Sequence, residues 1–501
     1  MTYNKTVILD CYTDEPSGYG VRPYLGTHQI HLAQALSYKQ EPFSYLTIDD
    51  LRYCSGEKET KDTNIRILNR TVNASNALDI INNADTVYIV MGCFVEYKYF
   101  SCVPPLIDEL YQFLKNSRAY KVLFYVLGID NNICDDYKRS NLAKIIDKVC
   151  IGNTYRFILE NSVSDNYLLP NYDLLDKISE QPVKIIEQLV YPILAEIETG
   201  TGCNTPTCSY CIEAKRHIRP TYREPASIIK QIKALYCSGV RHFRLGRQPN
   251  FFHYQYNNVE KLKELLSGVR SECSSLQTLH IDNVNMNSVT EPHGRDFVKL
   301  VVQYCTDGNV APFGIESFDD DVRKATHIFG RADKIIKAIE IINEYGAEVG
   351  SNGFPKFLPG INLMYGLPGQ TEKTHAINMD YLRQIYEKGL QTHRLFYRYM
   401  TPAQGVIVKN TEKDLIHYNK NKQEIMDSFV MPMQQRVYPA GRILKNFREV
   451  VIESGHSLLR TLGTCSIKAQ IENLQLTPYS TYDIRVIDSL EPKLLKAELA
   501  G

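Results

Sequence analysis

The residues best equipped for chemistry sit in one string, IETGTGCNTPTCSYCIEAKRHIRP, which places Cys203, Cys208 and Cys211 in a C-x4-C-x2-C spacing behind Gly200 and Gly202. Three thiolates so close together can converge on one inorganic centre, and the glycines let the backbone approach it. The count carries information. A structural zinc site closes with four ligands, whereas a [4Fe-4S] cluster held by three cysteines keeps one iron open for a substrate or cofactor. The competing reading is a zinc site completed by His217 or by a distant residue.

The other ten of the 13 cysteines are dispersed. Cys11, Cys54, Cys93, Cys102, Cys134 and Cys150 precede residue 151, and Cys237, Cys273, Cys305 and Cys465 stand alone. Core packing is their plain reading. The chain opens without a basic segment followed by an apolar run, and it has no stretch of ~18 apolar residues; the expectation is a cytoplasmic protein without a membrane span, its thiols kept reduced. Lys plus Arg and Asp plus Glu both number 57, so no bulk field draws nucleic acid or anionic lipid, and nucleic acid is not an expected partner. At 44% hydrophobic and 23% charged residues, the composition excludes a disordered or fibrous chain.

The 501 residues must position that loop, and their pattern is α/β in three parts. Over 1–185, the apolar runs VILDCY, FSYLTI, TVYIVMG and VLFYVLG alternate with helical patterns at 28–38, 73–83 and 104–116, the rhythm of a Rossmann-like doubly wound sheet. Over 190–425, six strand candidates (ILAEIE, HFRLG, TLHIDN, APFGIE, INLMYG, HRLFYRYM) alternate with helices and predict a partial (β/α)6 TIM-like barrel, whose reactive groups belong at the carboxyl ends of the strands. Over 430–501, SIKAQIEN, TYDIRVID and KLLKAEL predict a small antiparallel β-barrel-like module, joined by a polar stretch at 404–423. Polar residues at the ends of the barrel strands are site candidates: Gly246, Arg247 and Gln248; Asp282 and Asn283; Glu316 and Ser317. Glu316 is favoured because a carboxylate closing an apolar run needs a partner.

A three-cysteine loop after the first strand of such a barrel resembles the radical S-adenosylmethionine (SAM) superfamily, whose usual spacing is C-x3-C-x2-C; here the first gap is one residue longer. The resemblance implies a [4Fe-4S] cluster on the three cysteines and SAM on its open iron, cleaved to a 5′-deoxyadenosyl radical. It also implies that Tyr210 packs on the adenine and that Gly246, Arg247 and Gln248 stand where the family places a Gly-Gly-Glu-like loop for the SAM amino group. Asp282, Asn283, Glu316 and Ser317 would hydrogen-bond its methionine and ribose parts. Strings such as DEPSGYGVRPYLGTHQIHLAQAL, FRLGRQPN and NGFPKFLPGINLMYGLPGQT resemble radical SAM proteins with an N-terminal cobalamin-binding-type domain. That group includes the methyl-coenzyme M reductase glutamine C-methyltransferase of methanogenic archaea, which implies a methyltransferase, a protein substrate and an electron donor such as ferredoxin or flavodoxin. The first domain lacks a D-x-H-x-x-G motif, so cobalamin would be held without a histidine ligand; His28 and His31 read as helix-surface or core residues. The runner-up is RNA modification: the C-terminal segment resembles the TRAM-type module of tRNA methylthiotransferases, and Cys11, Cys54 and Cys93 are spaced vaguely like that family's second cluster. A third reading is a non-catalytic iron-sulfur or zinc protein. No residue is assigned to the substrate radical.

Overall fold

Five short apolar runs build the first sheet. β1 (Thr6–Asp10), β2 (Phe43–Thr47), β3 (Thr86–Met91), β4 (Tyr120–Tyr125) and β5 (Lys148–Ile151) are all parallel, in the order β2-β1-β3-β4-β5. Alternate residues serve two apolar layers: Ile8, Tyr45, Val90 and Phe124 face one, and Val7, Leu9, Leu46, Ile89 and Leu123 face the other. A sheet covered on both faces demands such unbroken apolarity. The strand order reverses between β1 and β3, which makes their carboxyl ends the crevice where doubly wound sheets take ligands. The computed structural model of the chain describes residues 4–14, 19–20, 22–60, 65–92, 100–125, 135–161, 169–211, 213–214, 218–400, 412–472 and 474–501. Cys93, Cys134, His217 and 404–411 lie outside the described residues; the larger part of the 404–423 stretch, 412–423, belongs to the helix Glu412–Ile425 rather than to a loop.

The second unit is an open barrel. β6 (Leu194–Glu198), β7 (His242–Gly246) and β8 (Thr278–Ile281) form one parallel group, and β9 (Asn309–Glu316), β10 (Phe357–Tyr365) and β11 (Arg394–Tyr399) form the other. Between β8 and β9 the ladder gives way to side chains: Ile281 N donates to Asn309 Oδ1 at 3.2 Å and Leu279 N to Thr306 Oγ1 at 3.0 Å. A short strand from far earlier in the chain, Tyr24–Leu25, pairs in parallel with Leu194–Ala195 and extends the barrel past β6. The two units share one core, because Ile30 and Leu36 of the helix Thr27–Tyr38 belong to the same apolar cluster as Ile197, Phe243 and Ile281.

The C-terminal module is a closed five-stranded barrel, in the order β12-β13-β14-β16-β15: β12 (Ile443–Glu453), β13 (His456–Thr461), β14 (Lys468–Ile471), β15 (Tyr482–Glu491) and β16 (Leu494–Leu499). It departs from the expected all-antiparallel module in one place. β14 pairs with β16 in parallel, and that pair closes the ring. Its segment Leu462–Ser466 seals the amino-terminal end of the large barrel. Thr278 Oγ1 donates to Leu462 O at 2.8 Å, Thr464 N to His280 Nδ1 at 2.9 Å, Val310 N to Thr464 Oγ1 at 2.8 Å, and Ser466 N to His393 Nε2 at 3.0 Å. Gly463 fits this floor only without a side chain, since a Cβ there would stand 2.6 Å from His280 Cε1.

Candidate active site

The cysteine loop leaves β6 at its carboxyl end and is fixed on three sides. Thr199 donates to Gly246 O from both its backbone N, at 3.1 Å, and its hydroxyl, at 3.0 Å, which binds the loop to the end of β7. Gly200–Thr201 pairs with Thr221–Tyr222, so close that a Cβ on Gly200 would meet Tyr222 Cδ1 at 2.5 Å. Gly202, at φ +85°, would meet Arg219 O at 2.6 Å. Beyond it, Ser209 N donates to Thr326 O at 3.0 Å, and Thr207 Oγ1 to His327 O at 2.8 Å.

Cys203, Cys208 and Cys211 are all half-buried on this loop. Burial pushes each thiol up, Cys211 to about 12, and neighbouring thiols add to the rise at two of them: Cys203 acts on Cys208, and Cys208 on Cys211. Cys208 thus lies within electrostatic reach of both other thiols. Among the described residues no three Cys, His, Asp or Glu side chains converge on a single ion, but a cluster asks for less, since each thiolate takes its own iron. Tyr210 packs its ring against the buried cluster of Val322, Leu367 and Met400.

Inside the barrel, β7 places Arg244 between two acids from neighbouring strands, a group that only the folded sheet brings together. Arg244 Nη1 donates to Glu196 Oε1 at 2.5 Å, and its Nη2 bonds Asp282 Oδ1; all three side chains are at most 2% exposed. Gly246 lies directly over this triad, where a Cβ would meet Glu196 Oε1 at 2.5 Å and Asp282 Oδ2 at 3.1 Å. The turn that follows carries Arg247 at φ +68°, its guanidinium pushed down to about 10 by burial. Gln248 Nε2 donates to Thr199 Oγ1 at 2.7 Å, tying the turn to the cysteine loop. Its Oε1 is buried and has no partner among the described residues, an acceptor left for a ligand. Asn283 is half-buried at the end of β8, and its carbonyl accepts from Phe251 N at 2.8 Å.

Glu316 is a strongly perturbed carboxyl at this end of the barrel. It follows an irregularity between β9 and β10, sits at φ +61°, and is pushed up to about 7 by burial, which outweighs the pull of Arg398 and Arg323. Left-handed backbone at a bulky residue, together with a shifted carboxyl, marks functional sites. Its charge is felt by both Cys208 and Tyr210, which sets it beside the cysteine loop. Arg323, 1% exposed, holds the turn: it donates to Ile315 O at 2.7 Å, Ser317 O at 3.1 Å, Phe329 O at 3.0 Å and Gly330 O at 3.0 Å. Ser317 is engaged by the turn itself, accepting from Asp319 N at 3.1 Å and bonding Asn378 Oδ1 at 3.5 Å, so its hydroxyl serves local structure.

The residues outside this mouth fall into place separately. Cys11 is fully buried in the first sheet's outer layer, and Cys54 Sγ donates to Ser75 O at 3.5 Å. His28 and His31 are both 2% exposed, and His31 meets Tyr155 edge-on at 5.6 Å. At the β1–β3 crevice, Tyr12 has φ +57° and a buried hydroxyl without a partner among the described residues. An orphaned donor at a switch point suits a ligand entering there, cobalamin included, but the first domain offers it no D-x-H-x-x-G histidine. Among the described residues no helix is long and apolar enough to cross a membrane.

A partial parallel barrel with a three-cysteine loop at the end of its first strand defines a class, and residues 197–381 match the radical SAM superfamily. Over 97% of its length the chain is 31% identical to the uncharacterized protein MJ0274 of Methanocaldococcus jannaschii, of which it covers 92%, and it belongs to that radical SAM family. It is also 25% identical to the tRNA-2-methylthio-N(6)-dimethylallyladenosine synthase of Cutibacterium acnes, over 44% of this chain and 42% of the relative. Two solved structures share the fold at low identity. The radical S-adenosylmethionine methyltransferase TsrM of Kitasatospora setae superposes with a TM-score of 0.50, 13% identity and coverage of 78% of this chain and 72% of that one. The cobalamin-dependent S-adenosylmethionine radical enzyme OxsB gives 0.52, 11%, and coverage of 84% and 55%.

Proposed function

We propose that this radical SAM enzyme is a cobalamin-dependent C-methyltransferase. The observation that carries the radical chemistry is the meeting, at one barrel mouth, of the three-cysteine loop, the unpartnered Gln248 Oε1 and the strained Glu316. Cys203, Cys208 and Cys211 would hold a [4Fe-4S] cluster that supplies the electron for breaking a carbon–sulfur bond of SAM. Gln248 Oε1 would accept from the methionine ammonium, and Glu316 would accept from the ribose hydroxyls; Asp282 is already bound by Arg244 and would act by fixing the turn above it. Tyr210 would line the adenine end. The floor at Leu462–Ser466 and the apolar strand faces keep water from the reacting carbon.

The methyl-transfer half of the reading is supported by the fold shared with TsrM and OxsB and by the unpartnered Tyr12 hydroxyl beside the β1–β3 switch point. Cobalamin there would supply the methyl group. A cytoplasmic setting with a low-potential donor such as ferredoxin or flavodoxin suits three reduced thiols. The finer substrate, a glutamine α-carbon of methyl-coenzyme M reductase, rests on the sequence strings alone. Anaerobically reconstituted protein given dithionite and SAM should form 5′-deoxyadenosine, and reconstitution with cobalamin should leave a corrinoid absorption spectrum on the protein. No 5′-deoxyadenosine from a fully loaded cluster overturns the radical reading; an absent corrinoid spectrum overturns methyl transfer from cobalamin alone. Mass spectrometry of methyl-coenzyme M reductase from cells with and without the gene decides the substrate, an unmodified glutamine in both being the contrary result.

A further inference from the structure

The last barrel strand carries a feature that the SAM site does not use. Arg394, Phe396 and Arg398 alternate along one face of β11, and their charges gather on a single ring: Arg394 Cζ lies 4.6 Å and Arg398 Cζ 5.0 Å from the Phe396 centroid. A third cation arrives from the C-terminal module, with Lys493 Nζ 3.3 Å from the same centroid. Lys422 and Lys468 flank it, lying over Tyr418 and Phe100. Neither Lys493 nor Arg398 forms an ion pair among the described residues; burial and then the neighbouring cations Arg394, Arg398, Lys468 and Lys422 weigh on the Lys493 ammonium, while Asp282 feels Arg394 and Glu316 feels Arg398 from inside the barrel. Like charges drawn together beside partly buried surface repel one another unless an anion joins them.

The turn that delivers Lys493 shows that its position is specified. Pro492 and Lys493 form the two-residue connection between β15 and β16, and Lys493 takes φ +68°, a conformation for which glycine is the ordinary choice. Its backbone is held there by Lys493 N donating to Gln434 Oε1 at 2.6 Å and by Lys468 N donating to Lys493 O at 2.9 Å. Arg398 stands at the carboxyl end of β11, and Glu316 feels its charge, so the cluster opens beside the mouth that holds the cysteine loop.

We propose that Lys493, Arg394 and Arg398, gathered on Phe396, form a receptor for a phosphate-class oxyanion that anchors the substrate at the seam between the large barrel and the C-terminal module. A phosphate carries up to two charges and three acceptor oxygens, matching two guanidinium forks and an ammonium better than a single carboxylate does. Calling the anion part of the substrate rests on the enzyme reading above; the site itself stands on binding, measured without turnover.

The test is calorimetric titration of the full-length protein with inorganic pyrophosphate at fixed salt. Wild type should bind saturably, and Lys493→Gly and Arg398→Met should each bind at least tenfold more weakly. Glycine suits the φ of that turn, so Lys493→Gly should keep a thermal midpoint at or above that of wild type, which separates lost binding from lost fold. No saturable binding, or equal binding by wild type and both variants, overturns the proposal, as does citrate binding as tightly as pyrophosphate. Ribose 5-phosphate and a short single-stranded RNA, each competed against pyrophosphate, identify the source. Competition by the sugar phosphate assigns a free phosphomonoester, and competition by the RNA alone assigns a nucleic-acid backbone; either supports the receptor.

Discussion

Replacing Glu316 by glycine should stabilise the protein while removing its chemistry, and the gain should depend on pH. The backbone at φ +61° costs a non-glycine residue about 1 kcal/mol, which Glu316→Gly removes at every pH. The carboxyl adds a second cost. Burial raises it from 4.5 to about 7, and at 1.36 kcal/mol per pH unit the charged form is disfavoured by about 3 kcal/mol before discounting for residual solvent. The folded value lies above the unfolded one, so this cost is absent well below pH 4.5 and grows as pH rises through 7. Glu316→Gly should therefore gain about 2 kcal/mol at pH 5 and about 4 kcal/mol at pH 8, less the contacts its side chain gives up. Glu316→Gln keeps the backbone cost and should gain mainly at pH 8. Urea unfolding of the metal-free protein at both pH values measures the two gains, and 5′-deoxyadenosine formation should fall at least tenfold in both variants. A gain equal at pH 5 and pH 8, or Glu316→Gly less stable than wild type at pH 8, refutes the placement of a strained, half-buried carboxyl with a raised pKa at this turn.

Three further outcomes follow from the geometry. Arg244→Met strands two buried carboxylates and should destabilise by about 3–5 kcal/mol in urea unfolding, whereas the triple variant Glu196→Gln, Arg244→Met, Asp282→Asn should recover most of the loss because no charge remains unpaired. Alanine at Cys203, Cys208 or Cys211 should abolish bound iron after reconstitution, while Cys54→Ala should retain the wild-type iron content by colorimetric assay; loss of half the iron in Cys54→Ala would reveal a second cluster. Gly463→Ala drives a methyl group into His280 and should cost about 1–3 kcal/mol, read as a lower thermal midpoint.

Local features of this protein are written locally. β7 occupies His242–Gly246, the run that its alternation predicts, and the helix Ala332–Gly346 stops at the glycine that punctuates it, where a Cβ would strike Phe357 O at 2.1 Å. The three cysteines are legible for the same reason, since they share one loop. What escapes a linear reading is whatever needs several strands side by side. Glu196, Arg244 and Asp282 meet only across three strands, and Arg323 reaches carbonyls on either side of it in sequence by folding back over its own helix. A visible signal was present for the first group, because acids at 196 and 198 and an arginine at 244 interrupt otherwise apolar strands. The β12–β13 hairpin was also readable: Ser454 and Gly455 sit at φ +47° and +84°, the two positive values that a two-residue Ser-Gly turn supplies. The expected single helix at 73–83 begins instead as a 3₁₀ turn at Ala74–Asn76, which becomes α-helical only over Ala77–Asn82.

The floor of the large barrel has a consequence for the order of assembly. A ribosome delivers Tyr24–Leu25 long before the strand it pairs with, and delivers Leu462–Ser466 after every strand that segment must seal. The edge strand waits at one end of synthesis and the seal arrives at the other, with Tyr24 Oη donating to Gly463 O at 3.2 Å where the two finally meet. A nascent or truncated chain thus carries its cysteines over an unsealed barrel. Closure of the barrel floor depends on residues that are the last of its parts to be synthesised, and the earliest and latest barrel segments are joined directly in the finished fold.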